Sequence, residues 1–370
     1  MIRSLRLAEL RIPFKVAFRH ASAERHETSS LWVEAASERG AFGYGESCPR
    51  EYVTGETIDT ARAFFSSRED SWRDEIVDLP SLRAWMATHA EDVDANPAAW
   101  CAVELALLDL LAREQGLTVE ALLALPPLSG RFHYSAVLGD ADIESFQSMA
   151  ERYRRQGFGD FKVKLSGNLK RDQEKMAVLS RSDGAPLRIR VDANNLWESA
   201  DEAIAFLKAL DCRFFAVEEP IRPNRYADLA RIGAAMNCQI VLDESFLRLT
   251  QIALLGNTPA SWIINVRVSK MGGLLRSLAI VEAAIGSGVS LIVGAQVGET
   301  SLLTRAAMTV AHAARDVLAA QEGGFGTLLL GRDVCDPPLM FGAGGVLDVS
   351  SYPFLTKPGF GLDPIGRPEA

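Results

Sequence analysis

From about residue 130 to residue 330, the apolar residues of the chain follow two alternating spacings. Short β-branched segments, typical of buried strands, are separated by longer segments in which apolar positions recur at helical intervals. The β-branched segments start 23 to 28 residues apart, which leaves room for a strand, a helix and two short loops. The eight starts are Tyr134, Phe161, Leu187, Phe214, Gln239, Trp262, Ser290 and Val317.

This repeat predicts a (β/α)8 barrel of the TIM type. Strands that alternate with helices are parallel, and eight such units joined by right-handed crossovers close into a barrel. An open doubly wound sheet is the alternative, but no G-x-G-x-x-G motif follows any of the strands. The pattern places helices at residues 168–179, 199–210, 226–236, 274–285 and 304–314.

The residues before the repeat show a different pattern. Strands are predicted at residues 5–13 and 30–37, and helices at 56–65, 82–88 and 97–115. We therefore predict an N-terminal α+β domain over residues 1–125 and a barrel domain over residues 126–335. A C-terminal segment, residues 336–370, is expected to return to the N-terminal domain.

Composition and charge exclude several classes of partner. The chain is 48% apolar and 24% charged, as folded proteins are, and its formal net charge of -9 disfavours nucleic acid. The longest stretches without charge, residues 249–266 and 283–298, contain Gly and Ser and are too short to span a membrane. A charged N-terminus and five cysteines without C-x-x-C favour a cytoplasmic protein with reduced thiols. We expect a small-molecule partner.

Carboxylates stand at the predicted ends of three consecutive strands, where barrel enzymes place their catalytic groups. Asp192, Glu218 and Asp243 end the third, fourth and fifth strands. Each alone is compatible with an ordinary acidic loop. Together, in a poorly hydrated barrel mouth, they repel one another unless a cation neutralises them. Oxygen ligands without nearby His or Cys favour Mg²⁺ over zinc, so we expect these three residues to bind Mg²⁺.

Lysines flank this carboxylate group on both sides. Lys162 and Lys164 share a face of the second strand, and Lys270 ends the sixth. Because nearby positive charge and burial both disfavour an ammonium, Lys164 is expected to be a base with a lowered pKa. Any one lysine at a strand end is commonly a solvated surface residue. Beside a metal-bound carboxylate, however, a lysine can remove the α-proton, because the metal stabilises the resulting enediolate.

These motifs resemble the enolase superfamily and, within it, the muconate lactonizing enzyme subgroup. The resemblance rests on Lys162-Val-Lys164, Asp192-Ala-Asn194, Glu218-Glu-Pro, Asp243-Glu-Ser and Lys270-Met-Gly-Gly. It implies a modified barrel with an N-terminal capping domain, to which the C-terminal segment returns, and a homo-oligomer. It also implies that Lys164 and Lys270 are the acid/base catalysts, that Lys162 tunes Lys164, and that Mn²⁺ can substitute for Mg²⁺.

The resemblance further implies that two loops of the capping domain, residues 18–27 and 48–57, close the site over the distal part of the substrate. The predicted substrate contacts are Arg19, His20, Arg25, Tyr52, Asn194, Gln296, Glu299 and Glu322.

The subgroup's activities leave alternatives open for this chain. We predict a Mg²⁺-dependent racemase or epimerase of an N-acyl or peptidyl amino acid. A muconate-type cycloisomerase or an o-succinylbenzoate synthase-like dehydratase is the alternative, and a catalytically silent carboxylate-binding barrel is the second. Strand eight, Gln321-Glu-Gly-Gly, lacks the D-x-D expected of dipeptide epimerases, and Glu299 stands one position later than the cycloisomerase pattern.

Overall fold

The structure is a computed structural model that describes residues 2–20, 23–180, 187–256 and 258–365; of residues 16–20, 23, 24 and 327 only the backbone is described. The strands are β1 (Ile2–Leu10), β2 (Pro13–His20), β3 (Ala23–Glu27), β4 (Ser30–Ser37), β5 (Phe42–Ser47), β6 (Arg131–His133), β7 (Ala136–Leu138), β8 (Asp160–Lys164), β9 (Arg188–Asp192), β10 (Ala216–Glu218), β11 (Gln239–Leu242), β12 (Trp262–Val266), β13 (Ser290–Val293), β14 (Leu318–Gln321) and β15 (Val346–Asp348).

The helices lie between and before these strands. They are α1 (Glu51–Thr54), α2 (Ile58–Glu75), α3 (Leu79–Thr88), α4 (Ala90–Ala95), α5 (Pro97–Glu114), α6 (Val119–Leu122), α7 (Ile143–Arg155), α8 (Leu169–Ser180), α9 (Ala200–Ala209), α10 (Tyr226–Met236), α11 (Val268–Met271), α12 (Leu274–Ser287) and α13 (Ser301–Ala313). Short 3-10 helices cover Leu249–Leu255, Pro259–Ser261, Gly326–Leu328, Ala343–Gly345, Val349–Ser351 and Pro353–Thr356.

Strands β7 to β14 form one eight-stranded parallel sheet in chain order, which confirms the predicted barrel. The first and last strands are joined where Ser135 N donates a hydrogen bond to Gln321 O at 2.8 Å. The register pairs Lys164 with Asp192, and Asp192 with Glu218. The ends of three neighbouring strands therefore bring one lysine and two carboxylates side by side.

The barrel departs from a regular (β/α)8 repeat in its second half. A helix follows each of β7 to β10, but the 3-10 helix Leu249–Leu255 stands in this place after β11. Strand β12 ends at Val266, so the prediction that Lys270 ends the sixth strand is wrong: it lies in the short helix α11. Gly272, at φ 81°, ends α11 in the left-handed conformation that favours glycine.

Outside β8 and β9, most residues of the barrel strands are apolar, because helices cover the outside of the barrel and side chains fill the inside. One small cluster is separate from the main core and is formed by residues of five successive strands, Ala216, Val241, Ile263, Ile292 and Ala320. Residues next to the first four of these in sequence, such as Val217 and Leu242, belong to the large core cluster that also takes in the helices.

The residues before the barrel form a small sheet that packs against a long helix. Strands β1, β4 and β5 make an antiparallel sheet that packs on helix α5. The approach is close enough to require glycine: a Cβ on Gly45 would lie 1.9 Å from Ala102 O, and one on Gly43 would lie 2.2 Å from Ala106 O. The prediction of a loop at residues 18–27 is wrong, since most of that segment belongs to the β2–β3 hairpin.

The C-terminal residues contact both other parts of the chain. Strand β15 pairs with β6, directly before the first barrel strand. Farther along, Phe360 N donates to Asp109 Oδ1 of α5 at 2.7 Å, and Val119 N of α6 donates to Gly359 O at 3.0 Å. No helix in the described part of the chain is long and apolar enough to cross a membrane.

Candidate active site

Lys162 is the centre of a buried ion-pair cluster at the carboxyl ends of the barrel strands. Its ammonium nitrogen lies 3.0 Å from Asp192 Oδ2, 2.8 Å from Glu218 Oε2 and 3.3 Å from Glu322 Oε1. The side chains of Lys162, Asp192 and Glu218 are at most 3% exposed. Burial opposes the charged form of Lys162, but the three carboxylates outweigh it and raise its pKa above the ordinary value. This lysine is a fixed positive charge.

Lys164, two residues along β8, is less buried than Lys162, with 13% of its side chain exposed. Its Nζ lies 3.1 Å from Asp192 Oδ2 and donates to Asn194 Oδ1 at 2.7 Å. Asn194 has a left-handed backbone, at φ 44°, and its own N–H donates to Asp192 Oδ1 at 3.1 Å. The D-x-N motif thus folds back on itself and holds the Lys164 amine at a defined place.

Lys270 lies on the other side of the barrel mouth. Its Nζ donates to Asp243 O at 2.7 Å, to Asp243 Oδ1 at 2.9 Å and to Asn265 O at 2.7 Å. Burial lowers the pKa of Lys270 despite the attraction of Asp243. The ammonium of Lys270 therefore loses its proton more readily here than it would in water.

Arg267 is a site residue that the sequence reasoning missed. Its guanidinium pairs with Asp243, lies 3.8 Å from Glu218 Oε1, and donates to Gln296 Oε1 at 3.1 Å. The available signal was its place directly after β12, at the same end of the barrel as the predicted carboxylates. Burial raises the pKa of Asp243, but Arg267 and Lys270 outweigh it and hold that pKa below its usual range.

A buried arginine inside the barrel was also missed. Arg190 is fully buried, and its guanidinium donates to Ser135 Oγ at 3.0 Å, to Asp160 Oδ1 at 2.7 Å and to Glu322 Oε1 at 2.7 Å. The basic residues of the segment Arg188-Ile-Arg-Val-Asp gave the only sequence signal. Glu322 is consequently engaged by Arg190 and Lys162, and its predicted role as a substrate contact stays a prediction.

The predicted metal ligands differ in how readily they ionise. Burial raises the pKa of Asp192, but Lys162 and Lys164 together bring it below the ordinary value. Glu218 goes the other way: burial, with repulsion from Asp192 and Glu322, raises its pKa to about 7 even though Lys162 opposes the shift. Glu218, whose strand lies between those of Asp192 and Asp243, therefore has too little positive charge around it to ionise as readily as they do.

The connected ionisable side chains fit a divalent cation by charge and by donor type. Burial, with repulsion from neighbouring carboxylates, raises the pKa values of Glu218, Glu219 and Glu244, so a dication would relieve negative charge that the surrounding lysines and arginines leave uncompensated. All the anionic donors are oxygens, which Mg²⁺ prefers. In the described residues, no three carboxylate, imidazole or thiol groups already form a metal-binding group. Lys162 and Arg267 take up the oxygens instead.

A cavity of about 560 Å³ opens above this cluster. The predicted residues that line it are Tyr52, Lys162, Lys164, Asn194, Asp243, Gln296, Glu299 and Glu322. Asp192, Glu218 and Lys270 are not among the lining residues and contact those that are. Arg25 is partly buried and is not a lining residue, and burial, then Arg50, lowers its pKa. The side chains of Arg19 and His20 lie outside the described residues.

The loop after β13 forms another wall of the cavity and is held from the N-terminal part. Gln296 N donates to Glu299 Oε1 at 2.6 Å, so one predicted contact is held by the backbone of the other. Between them, Val297 O accepts a hydrogen bond from the buried guanidinium of Arg50 at 2.6 Å. Arg50 was not singled out from the sequence. Tyr52, which follows it, is 39% exposed at the rim.

The sequence of this chain is similar to a known protein family and to several epimerases and racemases. A family model described as enolase C-terminal domain-like matches residues 145–367. The chain is 29% identical over 364 residues to the L-Lys-D/L-Arg epimerase of Methylococcus capsulatus, covering 95% of this chain and 94% of that protein. It is 22% identical over 330 residues to the N-succinyl-L-Arg/Lys racemase of Bacillus cereus, covering 87% of each.

A solved structure extends the likeness to the whole fold. The dipeptide epimerase from Methylococcus capsulatus, complexed with Mg and the dipeptide L-Arg-D-Lys, superposes with a TM-score of 0.81 at 26% identity. The superposition covers 98% of this chain and 99% of that one.

Proposed function

The chain belongs to the enolase superfamily, as the match over residues 145–367 shows, and from this premise we propose that it is a Mg²⁺-dependent racemase or epimerase. It removes and returns the proton α to the carboxylate of an N-acyl or peptidyl amino acid. Both curated relatives described above carry out racemisation or epimerisation of amino acid derivatives, and the solved relative holds Mg and a dipeptide.

The observation that carries the proposal is the placement of two lysine amines on opposite sides of the cluster of carboxylates. Lys164 ends β8, and Lys270 follows β12, four strands away in a ring of eight. Lys164 pairs with Asp192 and Lys270 with Asp243. A carbon atom held between these amines can lose a proton to one and gain a proton from the other, which inverts its configuration.

The chain's own side chains prepare this exchange. Asp192, Glu218 and Asp243 would hold the metal ion. When bound, Mg²⁺ supplies positive charge that stabilises the substrate carboxylate as its α-proton leaves. Asn194 orients the Lys164 amine, while the carbonyl oxygens of Asp243 and Asn265 orient that of Lys270. Lys162 and Arg267 neutralise carboxylates close to the reacting groups and stay protonated, so they transfer no proton to or from the substrate.

The cavity supports a substrate with an extended second part. Besides the residues around the amines, the cavity is lined by Tyr52, Asp140, Arg152 and Arg171. Asp140 is already paired with Arg171 at 3.0 Å and with Lys175 at 2.8 Å. A volume of about 560 Å³ takes two amino acid units or an N-acylated amino acid.

Exchange of the α-proton with solvent tests the proposal. The enzyme is incubated with MgCl₂ in D₂O with both enantiomers of a library of N-acyl amino acids and both epimers of dipeptides, and deuterium uptake is followed by mass spectrometry. Wild type is expected to exchange both forms of at least one substrate. Lys164→Ala and Lys270→Ala are each expected to retain exchange from one form only, and opposite forms.

Lys208→Ala, which changes an exposed lysine of α9, is the matched control and should exchange both forms. If no library member took up deuterium with wild type, the silent carboxylate-binding barrel would be the better description. If both lysine variants exchanged both forms at wild-type rates, the assignment of the two bases would be wrong.

A further inference from the structure

Lys175 is a charged side chain that the proposed reaction does not use and that is nevertheless completely buried. It belongs to α8, and its Nζ has three acceptors: Asp140 Oδ1 at 2.8 Å, Asp172 Oδ1 at 2.9 Å and Lys164 O at 3.0 Å. Asp172 is also completely buried. Burying such a pair often adds no net stability compared with apolar residues of similar volume. The presence of this buried pair therefore calls for an explanation other than stability.

The third acceptor of Lys175, the main-chain carbonyl of Lys164, indicates an explanation. Lys164 is the last residue of β8, and the pairing of β8 with β7 ends one residue earlier, at Leu138 and Val163. The main-chain carbonyl of Lys164 thus lies beyond that ladder of hydrogen bonds. The Lys175 ammonium donates to it, so a side chain of the following helix holds the backbone of the proposed base.

Asp172 holds the loop that follows β8 in a similar way, through hydrogen bonds. Its carboxylate accepts hydrogen bonds from Ser166 N at 2.9 Å, from Ser166 Oγ at 2.9 Å and from Gly167 N at 3.1 Å. Lys175 and Asp172 together therefore fix the chain from Lys164 to Gly167, where strand β8 ends. On the other side of the site, the Lys270 amine is itself held by the main-chain carbonyls of Asp243 and Asn265, which Lys175 and Asp172 do not contact.

We propose that Lys175 is a positioning residue for Lys164: through the Lys164 carbonyl it sets where the amine meets the α-carbon on one face of the substrate. The inference rests on the proposed function, because it requires that Lys164 exchanges a proton with the substrate. Proton transfer depends steeply on the distance and direction between donor and acceptor. Loss of Lys175 should therefore slow exchange on the Lys164 face and leave the Lys270 face close to wild type.

The test compares two exchange rates in one preparation. For wild type and Lys175→Met, α-deuterium uptake is measured separately from each enantiomer of the same substrate, and the two rates are expressed as a ratio. The enantiomer whose exchange Lys164→Ala abolishes defines the Lys164 face. Any loss of folded protein lowers both rates equally and cancels in the ratio. We expect the ratio to shift by about tenfold or more against the Lys164 face.

Two further variants make the result decisive. Lys170→Met changes an exposed lysine of the same helix and should leave the ratio unchanged. Asp140→Asn removes the negative charge of one partner of Lys175 at a position that is 32% exposed, and should shift the ratio in the same direction by less. This variant decides the question if Lys175→Met yields no folded protein.

The outcomes separate this inference from the proposed function. Equal slowing of both faces in Lys175→Met, or an unchanged ratio in Asp140→Asn when Lys175→Met does not fold, would overturn the positioning role. A ratio that shifts equally in Lys170→Met would also overturn it. Absence of exchange in wild type with every substrate would instead count against the proposed function.

Discussion

The ammonium nitrogen of Lys162 lies 2.8 Å from Oε2 of Glu218, with both side chains at most 3% exposed. This contact places a permanent positive charge beside Glu218, which the neighbouring carboxylates Asp192 and Glu322 repel. Burial and its carboxylate neighbours raise the pKa of Glu218 to about 7 in spite of it. The stability of the barrel mouth therefore depends on how completely its carboxylates are neutralised.

Replacement of Lys162 by Met should destabilise the protein, and Mg²⁺ should offset part of the loss. Removing one partner of a buried pair costs about 3–5 kcal/mol because the other charge remains buried without compensation. The freed carboxylates should then gain more from a dication than they do in wild type. Thermal unfolding with and without MgCl₂ measures both effects. Lys208→Met, on the exposed face of α9, is the control, and an equal Mg²⁺-induced rise in Tm for all three proteins would contradict the prediction.

Chelation should lower both stability and activity. Burial and repulsion from neighbouring carboxylates raise the pKa of Glu218 to about 7, so a bound dication relieves an unfavourable concentration of negative charge. EDTA is expected to abolish α-proton exchange and lower Tm, and added MgCl₂ should restore both. In Asp192→Asn the Mg²⁺-dependent rise in Tm should disappear, whereas Glu198→Gln, at a carboxylate that is 71% exposed, should keep it. Unchanged activity and Tm in EDTA would refute the three-carboxylate site.

The barrel was predictable from sequence because its signal is local and repeated. β-Branched segments at regular intervals identify the strands, and parallel register then makes neighbours of Asp192 and Glu218. The β2–β3 hairpin was missed because polar and charged residues around His20 obscure its alternation of apolar and polar positions.

Contacts between distant residues could not be read from the sequence in the same way. Arg267 and Arg190 become site residues only once the barrel brings their carboxylate partners from other strands within reach. Lys175 lies at an ordinary helical position, and nothing in its neighbourhood along the chain indicates that it is buried. Even the strand-end rule misplaced Lys270, because β12 stops four residues before it.

Stability should fall as the pH rises from about 5 to 8, in part through Glu46. This buried carboxyl group on β5 accepts hydrogen bonds from Thr300 N at 2.9 Å and from Leu303 N at 3.2 Å, at the start of α13. Burial raises its pKa to about 8, although the hydrogen bonds from Thr300 oppose the shift. The folded state therefore holds this proton more tightly than the unfolded state, whose pKa is about 4.3.

The sign follows from that difference in proton binding. The contribution of Glu46 is complete below about pH 4.3 and is lost as pH rises toward 8, by at most about 1.4 kcal/mol per pH unit. Urea unfolding at several pH values should show this slope in wild type and a shallower one in Glu46→Gln. Glu51→Gln, at an exposed position of α1, should keep the wild-type slope. A Glu46→Gln variant as steep as wild type would show that other groups are responsible.

Arg50 should affect substrate binding more than turnover, since it holds the cavity wall and none of the reacting groups. Its guanidinium is buried and donates to Ser29 O at 2.9 Å, Pro49 O at 2.6 Å and Val297 O at 2.6 Å. No carboxylate in the described part of the chain forms a salt bridge with it, so its hydrogen bonds go to main-chain carbonyls alone. Those bonds tie the end of the β2–β3 hairpin to the loop that carries Gln296 and Glu299.

Arg50→Met leaves these carbonyls without their donor, at a cost of about 1–3 kcal/mol for each group that water cannot reach. The loop should then lose its fixed position, and KM should rise by about tenfold or more while kcat changes less, because Lys164 and Lys270 are held by other contacts. Arg50→Lys should recover little, since one compact ammonium cannot span three carbonyls as a planar guanidinium does. Arg39→Met, at an exposed turn, is the matched control. A fall in Tm with KM unchanged would mean that Arg50 stabilises the fold without shaping the cavity.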